Sequence, residues 1–170
     1  MTFSVLVELV LTIVATSYGH GYTSQTAVVI DISDQEMRVT VPGKPAQRFT
    51  VSTGRGGIGN GVDQTPVGLL EIEYKVGQGE PLGMMFKGRK PTGIIAPAGA
   101  PHVMTSRILV LNGLEESNKM TKDRHIYIHG TQDVATLGTP ASGGCIRMTD
   151  EDVIYLFDVV KEGTHIRIQP

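Results

Sequence analysis

The chain contains one cysteine, Cys145, inside the stretch "PASGGCIRMTD" from Pro140 to Asp150. A thiol reacts as its thiolate, so a nucleophilic cysteine needs a base or a positive field beside it. A histidine on a regular segment is available in "RHIYIHG", where His129 precedes Cys145 by sixteen positions. The connection between them, "GTQDVATLGTPASGG", is rich in Gly, Thr, Ser and Pro, a composition that folds back as a loop. Gly143 and Gly144 leave the backbone before the thiol unobstructed, so amides there could face an oxyanion when a carbonyl is attacked. Arg147 lies one strand-like step beyond Cys145, where a guanidinium could hold a carboxylate. These residues alone leave two readings of equal standing, a nucleophile and an inert buried thiol.

The elements that would hold this pair read mainly as strands. "TAVVIDIS" (Thr26–Ser33) and "EMRVTV" (Glu36–Val41) are β-branched runs and predict a hairpin. "QRFTVST" (Gln47–Thr53), "TPVGLLEIEYKV" (Thr65–Val76), "RILVLNG" (Arg107–Gly113) and "THIRI" (Thr164–Ile168) predict further strands. In Arg124–Gly130 the alternation puts Ile126 and Ile128 on one face and His125, Tyr127 and His129 on the other. One helix is predicted after Met148. Thr149 suits its N-cap, acidic residues fill its first turn, and Val153, Leu156, Phe157 and Val160 form an apolar face up to Gly163. Residues 77–105 carry many Gly, Pro and Met and predict a long irregular, lid-like loop.

Bulk properties narrow the function. A chain of 170 residues with 40% hydrophobic and 19% charged residues suits one packed domain with a modest tail. A net charge of −2, without a Lys/Arg stripe, argues against nucleic acid as a partner. A single cysteine excludes an intrachain disulfide and a cysteine-cluster zinc site. The apolar run "SVLVELVLTIVA" (Ser4–Ala15) is followed by the small residues "ATS", so residues 1–22 are expected to be a signal peptide or N-terminal anchor of an exported protein. Glu8 interrupts the run and no basic residue opens it.

"IYIHGT" followed by "LGTPASGGCIRM" resembles the signature of the L,D-transpeptidase catalytic domain, the YkuD-type family. "VSTG" (Val51–Gly54), "TPVG" (Thr65–Gly68), "RILVLNGLEESN" and "GTHIRI" resemble its other blocks, in order, across residues 26–168. The resemblance implies a mainly β fold, a sandwich or partly closed barrel with one α-helix towards the C-terminus. It implies Cys145 as nucleophile, His129 as its activating base, and Gly130 as the residue whose carbonyl orients that imidazole. Gly144 and Cys145 match oxyanion-hole amides, and Ser142 and Arg147 match pocket residues. Gly143 departs from the pattern, which has histidine there, so an altered pocket, thiol pKa or substrate preference is expected.

The family's reaction is acyl transfer in bacterial peptidoglycan, without metal or organic cofactor. The thiolate attacks the third residue of a stem tetrapeptide, D-alanine leaves, and an amine resolves the thioester. That amine is a second stem, a lipoprotein lysine or a free D-amino acid. The resemblance therefore implies an envelope or periplasmic enzyme acting on stem peptides. Hydrolysis of the same acyl-enzyme and a non-catalytic peptidoglycan-binding module are the alternatives. The remaining motifs read as structure. His125 and His129 have an H-x-x-x-H spacing but sit in a strand pattern with no third ligand, which argues against a metal. His102 and His165 are expected to be solvated. "GRGGIGNGVDQ" (Gly54–Gln64) lacks the ending of a phosphate loop and reads as a rim loop from which Arg55 could reach the pocket. Met84, Met85 and Phe86 read as groove lining or as ordinary packing.

Overall fold

The computed structural model describes residues 25–170, so the expected leader lies outside the described residues. Ten strands and one α-helix follow one another. The strands are β1 (Ala27–Asp31), β2 (Glu36–Thr40), β3 (Gln47–Thr50), β4 (Gly68–Val76), β5 (Met84–Lys87), β6 (Lys90–Ile95), β7 (Met104–Gly113), β8 (Tyr127–Gly130) and β9 (Ile146–Met148), then β10 (His165–Gln169) after helix α1 (Asp150–Val159). The mainly β expectation holds. The strands form one continuous, curled sheet rather than two separate ones, in the order β3-β2-β1-β10-β4-β7-β5-β6, with β8 and β9 branching from β7.

The branch is what builds the site. Leu109 of β7 faces Lys75 of β4 and also Ile128 of β8, so β4 and β8 occupy opposite edges of the same strand. β9 then lies parallel to β8, with His129 beside Arg147 and Gly130 beside Met148. Parallel neighbours need a crossover of a dozen or more residues, which the Gly/Thr/Ser-rich connection supplies.

Alternation sorts the side chains as the sequence pattern requires. Ile126, Ile128, Ile146 and Met148 enter the main core with Leu109, Leu111, Val153, Leu156 and Phe157. Tyr127 packs instead with Met84, Phe86, Ile108 and Val110 in a smaller cluster, against which Cys145 rests. Helix α1 begins where expected. Thr149 accepts a hydrogen bond from the Asp152 N–H at 3.1 Å, while the helix ends at Val159, before Gly163. Carbonyls at that end are capped by Lys75, whose Nζ reaches Phe157 O at 2.6 Å and Val160 O at 2.8 Å.

The expected irregular stretch 77–105 is corrected in its middle. Residues Met84–Ile95 form the β5–β6 hairpin, and Met104 and Thr105 already belong to β7. Lys87 pairs with Lys90 across the two-residue turn Gly88-Arg89, with φ of 56° and 65° at those residues. Two left-handed residues are the type I′ arrangement that matches strand twist. Pro91 hid the strand, but β6 is an edge where a missing N–H is tolerated. Met84 and Phe86 are buried packing residues, not groove lining.

Phe157 is 1% exposed, beneath the Lys75 ammonium at 4.1 Å from its ring centre. Phe157→Ala is expected to cost about 3–5 kcal/mol, read as a lowered urea midpoint with an unchanged slope.

Candidate active site

The two strands that meet in parallel carry the candidate residues to one cavity of about 300 Å³. His102, Val103, Met104, His125, Tyr127 and His129 line one part of it, and Ser142, Gly143, Cys145 and Arg147 the rest. His129 is 6% exposed, and its Nδ1 lies 2.8 Å from the carbonyl oxygen of Gly130. With Nδ1–H donating there, Nε2 is left as the basic nitrogen. The β7 bulge between Thr105 and Ile108 lies opposite this segment and re-aims the pairing. Gly130 is required by close packing. A Cβ there would meet Asp150 Oδ1 at 2.2 Å and Thr105 O at 2.6 Å. The Asp150 carboxylate is in turn held by the Thr105 hydroxyl at 2.5 Å and by Gln132 Nε2.

The cysteine turn is laced to two earlier segments. Ser52 and Arg147 exchange backbone hydrogen bonds at 2.9 and 3.0 Å, Ala141 and Ser142 donate to Thr53 O, and Arg55 N–H donates to Ser142 O. The Thr65 hydroxyl donates to Gly144 O at 2.9 Å and accepts from Gly54 N–H at 2.8 Å. The blocks "VSTG" and "TPVG" thus hold the turn rather than enter the cavity. Arg124 reinforces this, donating to the carbonyls of Gly61 and Gln64 at 2.7 Å.

Ser142 lines the cavity and braces the turn: its hydroxyl donates to Cys145 O at 2.6 Å and accepts from Gly144 N–H at 3.0 Å. Of the two amides expected to face an oxyanion, the one of Gly144 is therefore engaged. Gly144 has φ +115°, and a Cβ there would meet Gln64 O at 2.8 Å and Ile126 Cδ1 at 2.9 Å. Gly143 is different. It is exposed, and a Cβ there would touch only Asp63 Oδ1, at 3.5 Å. Nothing steric demands glycine at this position.

Arg147 shares the cavity with the thiol, as its strand parity predicts, but its guanidinium is committed to protein. It donates to Ser52 Oγ and Thr136 Oγ1 at 3.1 Å each and lies 3.6 Å from Asp133, with Nε buried and unpartnered. The expected reach of Arg55 to the pocket is corrected. Its side chain bonds Asp63 instead, at 2.7 and 2.9 Å, because the rim loop folds back on itself. His165 is exposed on β10, as expected. His102 is exposed too, as expected, but it lines the cavity. His125 was legible as sharing a face with His129, yet its H-x-x-x-H spacing drew attention to metals. Among the described residues no group of three or more His, Cys, Asp or Glu is arranged to hold a metal.

Electrostatics keep the resting pair neutral. Burial lowers the His129 pKa to about 4, with the Gly130 hydrogen bond opposing and Arg147 assisting. Burial raises the Cys145 thiol to about 11, against the pull of the Tyr127 amide and of Arg147 and Arg124. Cys145 is only half-buried, so its remaining exposure works against the rise. The thiol donates weakly to the His125 carbonyl, at 3.4 Å.

A curled β-sheet with one helix thus brings a buried, carbonyl-oriented histidine on β8 and a cysteine just before β9 to one cavity. Residues 25–168 match the family model YkuD, the L,D-transpeptidase catalytic domain, and the chain belongs to that family. It is 27% identical over 141 residues to YqjB of Bacillus subtilis, named as a candidate L,D-transpeptidase, covering 83% of this chain and 69% of that one. YkuD of the same species, so named too, aligns at 47% identity over 45 residues, 26% of this chain and 27% of that one. Among solved structures, an L,D-transpeptidase from Mycobacterium smegmatis shares the fold with a TM-score of 0.54 at 19% identity, over 86% of this chain and 59% of that one. L,D-transpeptidase 3 from Mycobacterium tuberculosis, in complex with a faropenem-derived adduct, does so with a TM-score of 0.53 at 18% identity, over 85% of this chain and 60% of that one. The chain thus spans about three-fifths of the solved chains it matches.

Two outcomes follow from this geometry. Gly144→Ala should destabilise the fold by more than about 1 kcal/mol, whereas Gly143→His should stay within about 0.5 kcal/mol of the parent, both read by chemical denaturation. The second concerns pH. Unfolded His129 takes up a proton near 6.5, whereas folded His129 does so only near 4. Its contribution is fully present above 6.5 and is lost as pH falls towards 4, by about 3 kcal/mol. A His129→Gln variant should show a correspondingly flatter decline in stability between pH 7 and pH 4.

Proposed function

We propose that this domain is a peptidoglycan L,D-transpeptidase that works through a Cys145 thioester. The observation that carries the reading is the shared cavity of Cys145 and His129, with the imidazole Nδ1 held by the Gly130 carbonyl. Family membership over residues 25–168 supports peptidoglycan stem peptides as the substrate class, and on this reading a stem tetrapeptide is attacked at its third residue.

On this reading His129 Nε2 takes the thiol proton as sulfur bonds to the substrate carbonyl carbon, and returns it to the departing D-alanine nitrogen. The neutral resting pair means that the thiolate forms in the encounter with substrate rather than beforehand. The Cys145 amide is the candidate donor to the developing oxyanion, because the Gly144 amide serves Ser142. Arg147 contributes fixed positive charge and strand anchoring, its guanidinium being held by Ser52, Thr136 and Asp133. An amine then resolves the thioester. Since peptidoglycan lies outside the cytoplasmic membrane, the reading implies work in the cell envelope.

Incubation with stem tetrapeptides and a D-amino acid, followed by mass spectrometry, should yield a tripeptide joined to the amine. Cys145→Ala should abolish product, and His129→Ala should slow it about 10²-fold or more. Tripeptide and free D-alanine alone would mark a hydrolase. If wild type and Cys145→Ala bind muropeptides but are equally inert, the catalytic reading fails.

A further inference from the structure

Acyl transfer to an amine moves two different protons. One leaves the thiol when the thioester forms. The other leaves the acceptor nitrogen when the thioester is resolved, and that nitrogen arrives from solvent. His129 is placed for the first task. It is 6% exposed, fixed by Gly130, and lines the cavity. A second imidazole, that of His125, lines the same cavity and is exposed to solvent.

We infer that the His125 imidazole is the base that takes the proton from the acyl-acceptor amine, a role that rests on the transpeptidase reading above. His125 sits at φ +57°, a left-handed conformation that His102 on the same cavity shares. The turn that imposes this is well bonded, with His125 N–H donating to Lys122 O at 2.9 Å and Ile126 N–H to Thr121 O at 3.2 Å. The same conformation brings the His125 carbonyl to 3.4 Å from Cys145 Sγ. The residue is thus registered on the nucleophile through its own main chain. Its ring lies against the Tyr127 ring, with centroids 6.2 Å apart at 50°, and Arg89 in turn holds the Tyr127 hydroxyl at 3.2 Å.

Gly143, without a side chain on the cavity wall, leaves room for an amine to reach the thioester. The other titratable groups around the cavity are His102, Tyr127, His129 and Arg147, with Arg124 next in sequence. His102 is the other exposed ring, but it belongs to the segment leading into β7, whereas His125 is tied to the sulfur. The step balances as follows. The amine nitrogen bonds to the thioester carbon and its proton passes to the His125 ring. The C–S bond then breaks, and the departing thiolate takes up that proton, leaving an amide, a thiol and a neutral ring.

The test separates the two half-reactions. Cys145 is acylated with stem tetrapeptide and followed by intact-protein mass. Aminolysis by a D-amino acid is then timed across pH in wild type, His125→Asn and His125→Gly. Both replacements suit a left-handed backbone. The expected result is acylation within about twofold of wild type and aminolysis slowed about 10²-fold. Added imidazole should restore the His125→Gly rate in part. Wild-type aminolysis rates in both variants overturn the assignment, as does transfer of the whole effect to His102→Asn. Absence of any acyl adduct on wild-type Cys145 removes the transpeptidase reading itself, a result distinguishable from either.

Discussion

The site depends on one pairing, the parallel contact of β8 with β9. His129 and Cys145 are sixteen positions apart, and no local structure brings them together. The contact exists because β7 offers both edges, giving one to β4 and β5 and the other to β8. Once β8 is docked, its free side accepts β9, and the imidazole and the thiol arrive on the same wall. Ile126, Ile128, Ile146 and Met148 enforce the register from the opposite face, since a slip of one residue would turn them out of the core and the site residues into it.

The cysteine turn is held from behind by hydrogen bonds rather than by apolar packing. Ser52, Thr53 and Thr65 are fully buried and each bonds the turn, Ser52 and Thr53 through their backbones and Thr65 through its hydroxyl. Buried polar groups of this kind are costly when left unpaired, so the turn cannot shift without breaking several bonds at once. That rigidity gives meaning to the contrast between adjacent glycines. Gly144 is locked by a left-handed backbone and by the Gln64 carbonyl behind it, while Gly143 faces open space. The departure from the family pattern at position 143 is thus a change in the cavity and not in the scaffold.

Much of this was legible in the sequence. The strand alternation around His129, the Thr149 cap and the apolar face of α1 follow from local periodicity and capping chemistry, although the strand begins only at Tyr127 and leaves His125 in the preceding turn. The β5–β6 hairpin was not legible, because glycines and Pro91 masked an edge strand whose turn needs two left-handed residues. Arg55 was read as a pocket residue because it stands in a glycine-rich rim. Its preference for Asp63 depends on how that rim folds back.

The sequence by itself determined the candidate pair Cys145 and His129, the face on which His129 lies and the parity that puts Arg147 beside Cys145, because these follow from residue type and a two-residue period. Tertiary structure alone decided the rest. It commits the Arg147 guanidinium to Ser52 and Thr136, engages the Gly144 amide with Ser142, and sets His102 and His125 around the mouth of the cavity. Each of those outcomes turns on contacts between segments far apart in the chain, where a hydrogen bond or a left-handed turn selects one partner among several that the sequence allows.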